Sequence, residues 1–237
     1  MTNIYFDFED GNGPVPAHQH SNGGGWVADT AKVYETSYVG SDAQVYGDAT
    51  VSGNARVYGN ATVSGDAWVY GYARVYGYAR VYGDAIVSGK ATVSSNARVY
   101  GNAEVFGKAR VYGTVEVYGN ATVSGKATVS GNATVSGNAT VSGNAWVSGN
   151  AWVSGKATVS GNAQVYGDAE VSGNARVYGN AWVYGNAWVS GNAKVCDDDR
   201  VCDDDQVYSY TKVQKETKKD RIFINGKWYV EEVEEFE

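Results

Sequence analysis

Aromatic and arginine side chains recur in this sequence at intervals of 18 or 36 residues, and they are the side chains best suited to binding. They form three sets: Arg80, Tyr82, Arg98, Tyr100 and Tyr118; Arg56, Tyr58, Arg74, Tyr76, Arg110 and Tyr112; and the pairs Trp146 with Trp182 and Trp152 with Trp188. Such rings and guanidinium groups bind partners by stacking and by cation–π contacts. They are our candidates for a binding surface, although pairing between neighbouring strands explains the tyrosines equally well.

Possible metal ligands are concentrated in two short segments. The segment CDDDRVCDDDQ, residues 196–206, contains the candidate ligands Asp197, Asp198, Asp203 and Asp204. Clustered carboxylates are the ligands that Ca²⁺ prefers. His18 and His20 are too few for a zinc site on their own, and we interpret them as part of a solvated loop. We therefore expect no cofactor, with Ca²⁺ at the aspartates as the alternative.

A strict six-residue repeat must position all of these side chains. Valine recurs at every sixth residue from Val27 to Val213, which makes 32 hexads, and so strict a period indicates a solenoid. In Arg56-Val57-Tyr58, polar and apolar residues alternate as in a short strand with one buried face. Gly59-Asn60 suits a corner, because glycine adopts positive φ freely and asparagine tolerates it. We predict that valine and the alanine after each corner line the core, while the residues that flank valine form the surface.

The pattern Val-x-Gly-Asn-Ala-x resembles the hexapeptide repeat of left-handed parallel β-helix proteins, and the resemblance spans residues 25–216. It implies an all-β, single-stranded solenoid that is triangular in section, with three hexads per coil. The left-handed sense comes from the resemblance alone, since general chirality rules favour right-handed crossovers. Stacked strands about 4.8 Å apart give a rod on the order of 50 Å long. The stretch VPAHQHSNGGGWVADTA is similar to the lead-in of non-catalytic phage and environmental members.

The acidic segment replaces Gly-Asn-Ala by Asp-Asp-Asp at two corners of the predicted solenoid. Asp199 and Asp205 fall at the inward alanine position, where an unpaired carboxylate is costly. We favour a charged terminal coil that prevents end-to-end strand pairing over a Ca²⁺ site. Cys196 and Cys202 fall on adjacent faces, too far apart for a disulfide within the chain, which leaves a bond between chains open.

Composition and charge disfavour several classes of protein. The chain has no leucine, so a packed helix bundle is excluded. The net charge is −7, and residues 25–192 carry only +1, so we expect no nucleic-acid partner. We find no signal peptide and no apolar run of about 18 residues, and we expect no membrane span. The expected product is soluble and associated with a virion or an extracellular or surface assembly, or otherwise cytoplasmic.

The resemblance also includes enzymes, because many hexapeptide β-helices are acyltransferases and others resemble γ-class carbonic anhydrases. Both activities rely on histidines, whereas this chain has only His18 and His20, both before the repeat begins. No loop interrupts the hexads in which such an enzyme would place its catalytic histidine. We therefore predict that the protein is not an enzyme, with a degenerate acyltransferase scaffold as a remote alternative.

The chain is predicted to contain three parts. Residues 1–24 form an N-terminal cap or attachment segment, 25–216 the solenoid, and 217–237 a C-terminal β-hairpin around Asn225-Gly226 with an acidic tail. We expect a rigid rod or fibre component that assembles through its faces or ends with copies of itself or with structural partner proteins. The alternative is a binding module, for polysaccharide through the tyrosine and tryptophan faces or for ice through threonines such as Thr122, Thr140 and Thr158.

Overall fold

The computed structural model describes residues 4–208, together with the backbone of residues 222–224 and 227–229. The described residues form 35 strands and contain no helix. Apart from the first two strands and the C-terminal pair, every strand pairs in parallel with the strand three positions earlier or later in the chain. The strands fall into three sheets, which we call faces 1, 2 and 3.

Face 1 has thirteen strands. In spatial order they are β1 (Tyr5–Phe6), β2 (Val15–Gln19), β3 (Trp26–Ala28), β6 (Gln44–Val45), β9 (Thr62–Val63), β12 (Arg80–Val81), β15 (Arg98–Val99), β18 (Glu116–Val117), β21 (Thr134–Val135), β24 (Trp152–Val153), β27 (Glu170–Val171), β30 (Trp188–Val189) and β33 (Gln206–Val207).

Faces 2 and 3 have ten strands each. Face 2 comprises β4 (Lys32–Val33), β7 (Thr50–Val51), β10 (Trp68–Val69), β13 (Ile86–Val87), β16 (Glu104–Val105), β19 (Thr122–Val123), β22 (Thr140–Val141), β25 (Thr158–Val159), β28 (Arg176–Val177) and β31 (Lys194–Val195). Face 3 comprises β5 (Tyr38–Val39), β8 (Arg56–Gly59), β11 (Arg74–Gly77), β14 (Thr92–Val93), β17 (Arg110–Val111), β20 (Thr128–Val129), β23 (Trp146–Val147), β26 (Gln164–Val165), β29 (Trp182–Val183) and β32 (Arg200–Val201).

Each coil contains three hexads, one per face, and successive coils are in register. Val117, for example, pairs with Val135 and Glu116 with Thr134, one coil of 18 residues apart. The predicted all-β solenoid of three hexads per coil, with about ten coils, is therefore confirmed. Its left-handed sense stays a prediction of the family resemblance.

Valine and alanine fill the interior, as the hexad pattern predicts. Every hexad valine from Val39 to Val195 is completely buried, and so is the alanine that follows each corner between Ala43 and Ala193, with Val115 in place of one alanine. Burial of each valine stabilises the fold by about 1.5–3 kcal/mol. The buried valines and alanines form one continuous core along the axis, and stability is distributed along it because each coil contacts only its neighbours.

The corners depend on glycine. Gly143 has φ of +70°, and a Cβ added there would lie 2.9 Å from the backbone N and O of Gly161 in the next coil. At most described corners, the residue after the glycine continues the ladder, as Asn144 does when its N–H donates to the Gly161 carbonyl at 2.7 Å. Among the corners that the structure describes, three have a non-glycine residue at positive φ, namely Ser95, Asp197 and Asp203.

The N-terminal segment covers the first coil. β1 and β2 pair antiparallel, and β2 pairs antiparallel with β3. The ring of Phe6 stacks on Trp26 with centroids 4.4 Å apart, and Phe8 stacks on Tyr46 at 4.9 Å. These contacts place an aromatic cluster on the outer side of face 1, at the N-terminal end of the solenoid.

At the C-terminal end, β34 (Ile222–Ile224) and β35 (Lys227–Tyr229) pair antiparallel, with Ile222 opposite Tyr229. The last hexad, at Val213, and the acidic tail of residues 231–237 lie outside the described residues. The role of the hairpin as a cap, like the three-part division of the chain, stays a prediction.

Candidate binding surfaces

The tyrosine columns form stacked ladders. On face 1 the rings of Tyr82 and Tyr100 are 4.9 Å apart and inclined by 2°, and those of Tyr100 and Tyr118 are 5.0 Å apart and inclined by 8°. On face 3 two further pairs stack in the same way, Tyr58 with Tyr76 and Tyr166 with Tyr184. Because stacked rings cover one another, a ladder offers its ring edges and hydroxyl groups to the solvent and few free ring faces.

Tyr112 and the pair Tyr166 and Tyr184 complete the tyrosine columns of face 3. Tyr112 belongs to the column of Tyr58 and Tyr76, but Ser94 and Ser130 flank it there, so it stands apart from the stacked pair. The pair Tyr166 and Tyr184 was not among our candidates, although its 18-residue spacing was a sufficient signal.

Arginine and glutamate side chains complete the face 1 ladder. Arg98 Nη1 lies 3.3 Å from Glu116 Oε1, and the hydroxyl of Tyr100 donates to Glu116 Oε2 at 3.2 Å. Burial and the Glu116 carboxylate together raise the pKa of Tyr100 to about 12. On face 3, the Arg56 guanidinium lies over the ring of Tyr38 at 4.8 Å. The exposed guanidinium groups of Arg80, Arg74 and Arg110 line the same faces.

Three tryptophans lie diagonally across their faces. The indole N–H of Trp146 donates to Ser130 Oγ at 3.2 Å, that of Trp152 to Ser136 Oγ at 3.2 Å, and that of Trp188 to Ser172 Oγ at 3.3 Å. Each serine is in the preceding coil and on the far side of the valine column, so the indole crosses the face to reach it. Trp152 remains 49% exposed and Trp188 39% exposed, so the tryptophans provide free aromatic surface that the tyrosine ladders lack.

A polar side chain separates the two tryptophans of face 1, Trp152 and Trp188, and another separates the two of face 3, Trp146 and Trp182. Glu170 pairs with Trp152 on one side and Trp188 on the other, and Gln164 takes the same place between Trp146 and Trp182. Trp182 differs from the other three because the Arg200 guanidinium covers its ring at 5.0 Å. The arrangement on face 1 is therefore the more open of the two.

Face 2 carries an exposed apolar group that sequence reasoning missed. Trp68 is 53% exposed, Tyr70 40% and Phe106 38%, and Ile86 is half-buried beside them. We call these four residues the face 2 patch. The sequence signal was weak, because the four residues are spread over three coils and two columns that otherwise contain threonine, serine and charged residues.

The candidate metal ligands do not converge. Asp198 accepts a hydrogen bond from Asn180, and Asp204 accepts one from Asn186, at two different corners. Between residues 4 and 208, no group of three or more histidine, cysteine, aspartate or glutamate side chains is placed to hold a metal ion. Asp197 and Asp203 take the positive-φ corner positions that glycine occupies elsewhere.

Asp199 and Asp205 do not carry the cost of an unpaired buried carboxylate. Both are half-buried, and each turns back to accept a hydrogen bond of 3.2 Å from the backbone N–H three residues earlier, at Cys196 and Cys202. Both cysteines are free thiols, one on face 2 and the other on face 3. The expectation of no disulfide between them agrees with this placement.

The two histidines have separate structural partners. His18 is exposed, and its Nδ1 lies 2.9 Å from a carboxylate oxygen of Asp29. His20 is buried, and its Nε2 lies 3.1 Å from the carbonyl oxygen of Ser37, so that nitrogen must carry the proton. The interpretation of His20 as part of a solvated loop is wrong, because the segment folds back onto the first coil.

The threonine column on face 2 is short. Thr122 pairs with Thr140, and Thr140 pairs with Thr158, as the spacing predicts. Glu104 bounds this column at one end and Arg176 at the other. A flat hydroxyl array of three coils bounded by charges offers little surface for ice.

Comparison with protein-family models finds a known repeat that is similar to this one. The model described as the YdcK beta-solenoid repeat matches residues 43–57, 55–71, 69–89, 79–95, 117–131, 127–143, 133–149, 169–185 and 175–191. The chain is a parallel β-helix repeat protein. The matches to this β-helix fall in three stretches, 43–95, 117–149 and 169–191, all of them within the solenoid.

The search of curated proteins gave no match to the sequence of this β-helix. In the part of the chain that the structure describes, no helix is long and apolar enough to cross a membrane.

Proposed function

We propose that this β-helix is a non-catalytic structural rod, a component of a virion or of a surface fibre, that holds partners or copies of itself along its faces. The observation that supports it best is the continuity of the register. From Trp26 to Val207, each strand of face 1 pairs with the strand 18 residues away, with no insertion in any coil. A solenoid without insertions resists bending, because each coil is hydrogen-bonded to the next on all three faces.

The corners support the same proposal. Side-chain amides form ladders along the rod, as in the run Asn144, Asn162 and Asn180, whose Nδ2 to Oδ1 distances are 3.0 Å. Such ladders add axial hydrogen bonds outside the backbone. The histidines, which family enzymes use for catalysis, pair here with Asp29 and the Ser37 carbonyl at the N-terminal end.

Small-angle scattering combined with negative-stain electron microscopy tests the rod. We expect elongated particles with an ordered section of about 50 Å per chain, since ten coils repeat at about 4.8 Å. Regular bundles or filaments of such rods would support a fibre component. Compact isotropic particles, or a maximum dimension shorter than the solenoid, would contradict the proposal.

A second candidate function is polysaccharide binding through the two tryptophans of face 1. The corresponding tryptophans of face 3 form a similar site that should bind more weakly. The supporting observation is that Trp152 and Trp188 are exposed, held by their indole N–H groups, and separated by the Glu170 carboxylate. Two coils separate the indoles by about 9.6 Å. Flat rings with a hydrogen-bond acceptor between them suit a chain of sugars, whose apolar ring faces stack on aromatic rings while hydroxyl groups reach the carboxylate.

Affinity electrophoresis through gels that contain soluble β-linked glucans tests this second function. The double variant Trp152→Ser with Trp188→Ser should lose retardation, and Trp68→Ser, an equally exposed tryptophan on face 2, should keep it. Equal migration of all three proteins with and without glucan would exclude this class of ligand.

A further inference from the structure

The face 2 patch has the properties of a protein contact surface. Trp68 and Tyr70 meet edge to face with centroids 6.5 Å apart, and Phe106 lies two coils further along the Tyr70 column. Tyr70 and Phe106 bracket Ser88, which is buried between them. Unlike Trp146, Trp152 and Trp188, Trp68 finds no acceptor for its indole N–H within residues 4–208. Contiguous exposed apolar groups with polar surroundings mark interaction sites.

Opposite charges border this patch on its two edges. The three strands that carry it are each flanked by corner residues, one before the strand and one after it. Before the strands come Asp66, Asp84 and Asn102, and after them come Tyr72, Lys90 and Lys108. One edge therefore offers hydrogen-bond acceptors and negative charge, and the other offers donors and positive charge.

These charges have few partners in their own chain. Within the described range 4–208, neither Asp84 nor Lys108 has an ion pair or a hydrogen bond from its side chain. In the same range, the one interaction of the Lys90 ammonium group is with the ring of Tyr72, 5.9 Å from its centroid. Asp66 and Asp84 occupy the same corner in successive coils, so their like charges repel each other at a spacing of about 4.8 Å. An opposing basic surface would remove this repulsion.

We propose that two copies of this chain pair through face 2 with their rods parallel, related by a two-fold axis along the rod direction. This operation sets face against face and reverses the strand direction, so each acidic edge meets a basic edge. Asp84 then faces Lys90 of the partner subunit, and Asp66 faces the partner's Tyr72. Trp68 lies against the partner's Tyr70 in the apolar centre. The contact is isologous, so every pair occurs twice.

The next coil extends the same complementarity. Glu104 is exposed on face 2 beside the acidic edge, and it comes within reach of the partner's Lys108. Rods packed antiparallel about a perpendicular two-fold axis would instead place the acidic edge against itself. The charge pattern therefore selects both the partner and the direction of the rods.

The pairing rests on the proposed rod function, because it specifies the face and the partner through which the rods assemble. Sedimentation velocity of the full chain tests it. We expect a dimer that weakens as ionic strength rises, since its rim is electrostatic. Asp84→Lys or Lys90→Glu alone places like charges opposite each other twice, and each should weaken the dimer by roughly tenfold or more. The double variant Asp84→Lys with Lys90→Glu exchanges the opposite charges of this coil and should restore the dimer.

Matched tryptophan variants distinguish a specific role of the face 2 patch from a general effect of removing an exposed tryptophan. Trp68→Ser should yield monomers, whereas Trp152→Ser, on face 1, should leave the dimer intact. Circular dichroism should show the same folded signal for every variant. A wild-type chain that remains monomeric, or a double variant as weak as the single ones, would overturn the pairing.

Small-angle scattering on the same samples keeps the two proposals distinguishable. A monomer that is still an elongated rod would defeat the pairing and leave the rod function standing. Compact particles would defeat both.

Discussion

The hydroxyl of Tyr100 donates a hydrogen bond of 3.2 Å to a carboxylate oxygen of Glu116, which belongs to the next coil. The pKa of this phenol is raised to about 12 from its ordinary value of 10. Burial is the largest cause, and the charge and hydrogen bond of Glu116 add to it. The folded state thus holds the proton more tightly than the unfolded state. The stabilisation is complete below pH 10 and is lost as the pH rises from about 10 to about 12.

Glu116→Gln should lower the pKa of Tyr100, because it removes the charge that opposes ionisation. The shift should be partial, since burial is the larger cause. Ultraviolet titration of the folded protein measures it: the last phenol to ionise should do so at lower pH in the variant. Glu170→Gln, on the same face but away from the ladder, is the control. Identical titration curves for wild type and Glu116→Gln would contradict the assignment.

Gly143→Ala should destabilise the β-helix through its corner. A φ of +70° costs an L-residue roughly 1–2 kcal/mol, and the new Cβ would also lie 2.9 Å from the backbone of Gly161. The matched variant is Ser95→Gly, which replaces a side chain already at φ +61°. We expect urea unfolding to show a loss of at least about 1 kcal/mol for Gly143→Ala and no loss for Ser95→Gly. No loss for Gly143→Ala would mean that the corner tolerates a side chain.

The repeat itself predicts most of this fold. A buried valine every sixth residue, with glycine two residues later, defines the strands and corners, and the coil of 18 residues then aligns Tyr82 with Tyr100. Such predictions succeed because they depend only on which residues share a column. Stacking within a column needs no knowledge of the side-chain rotamer beyond the strand alternation.

Contacts that leave a column could not be predicted in this way. The indole of Trp152 reaches Ser136, 16 residues earlier, only because its rotamer crosses the valine column. Asp199 likewise turns back onto Cys196 instead of pointing inward. The face 2 patch combines two columns, so a search along one column finds Trp68 and Ile86 without Tyr70 and Phe106. Its charged edges become visible only when the corners on both sides of one strand are compared.

Asn162→Ala should interrupt one corner ladder. Asn162 accepts a hydrogen bond from Asn144 and donates one to Asn180, both at 3.0 Å. Each hydrogen bond contributes about 0.5–1.5 kcal/mol net, and the exposure of the corner favours the lower end of that range. Asn60→Ala is the control, because Asn60 occupies the same hexad position between Asp42 and Tyr78. Urea unfolding should separate the two variants; a loss as large for Asn60→Ala would show that the ladder adds nothing.

Val135→Ala and Val115→Ala test how tightly the interior is filled. Val135 is a hexad valine of the central coils, and removal of its two methyl groups should cost about 0.8 kcal/mol for each group, plus the cost of the cavity. Val115 stands where the other described coils have alanine, glycine or a polar residue, and the corner before it is distorted, with φ of +94° at Gly113.

Val115→Ala should therefore lower the free energy of unfolding clearly less than Val135→Ala does, because release of the overpacked corner offsets the lost burial. Urea unfolding of both variants, monitored by circular dichroism, gives the comparison. Both sites lie away from the ends of the solenoid. An end coil has a neighbour on one side only, so fraying there would hide the effect. Equal losses would show that the coil accommodates Val115 without strain, and that Gly113 takes its unusual angle for another reason.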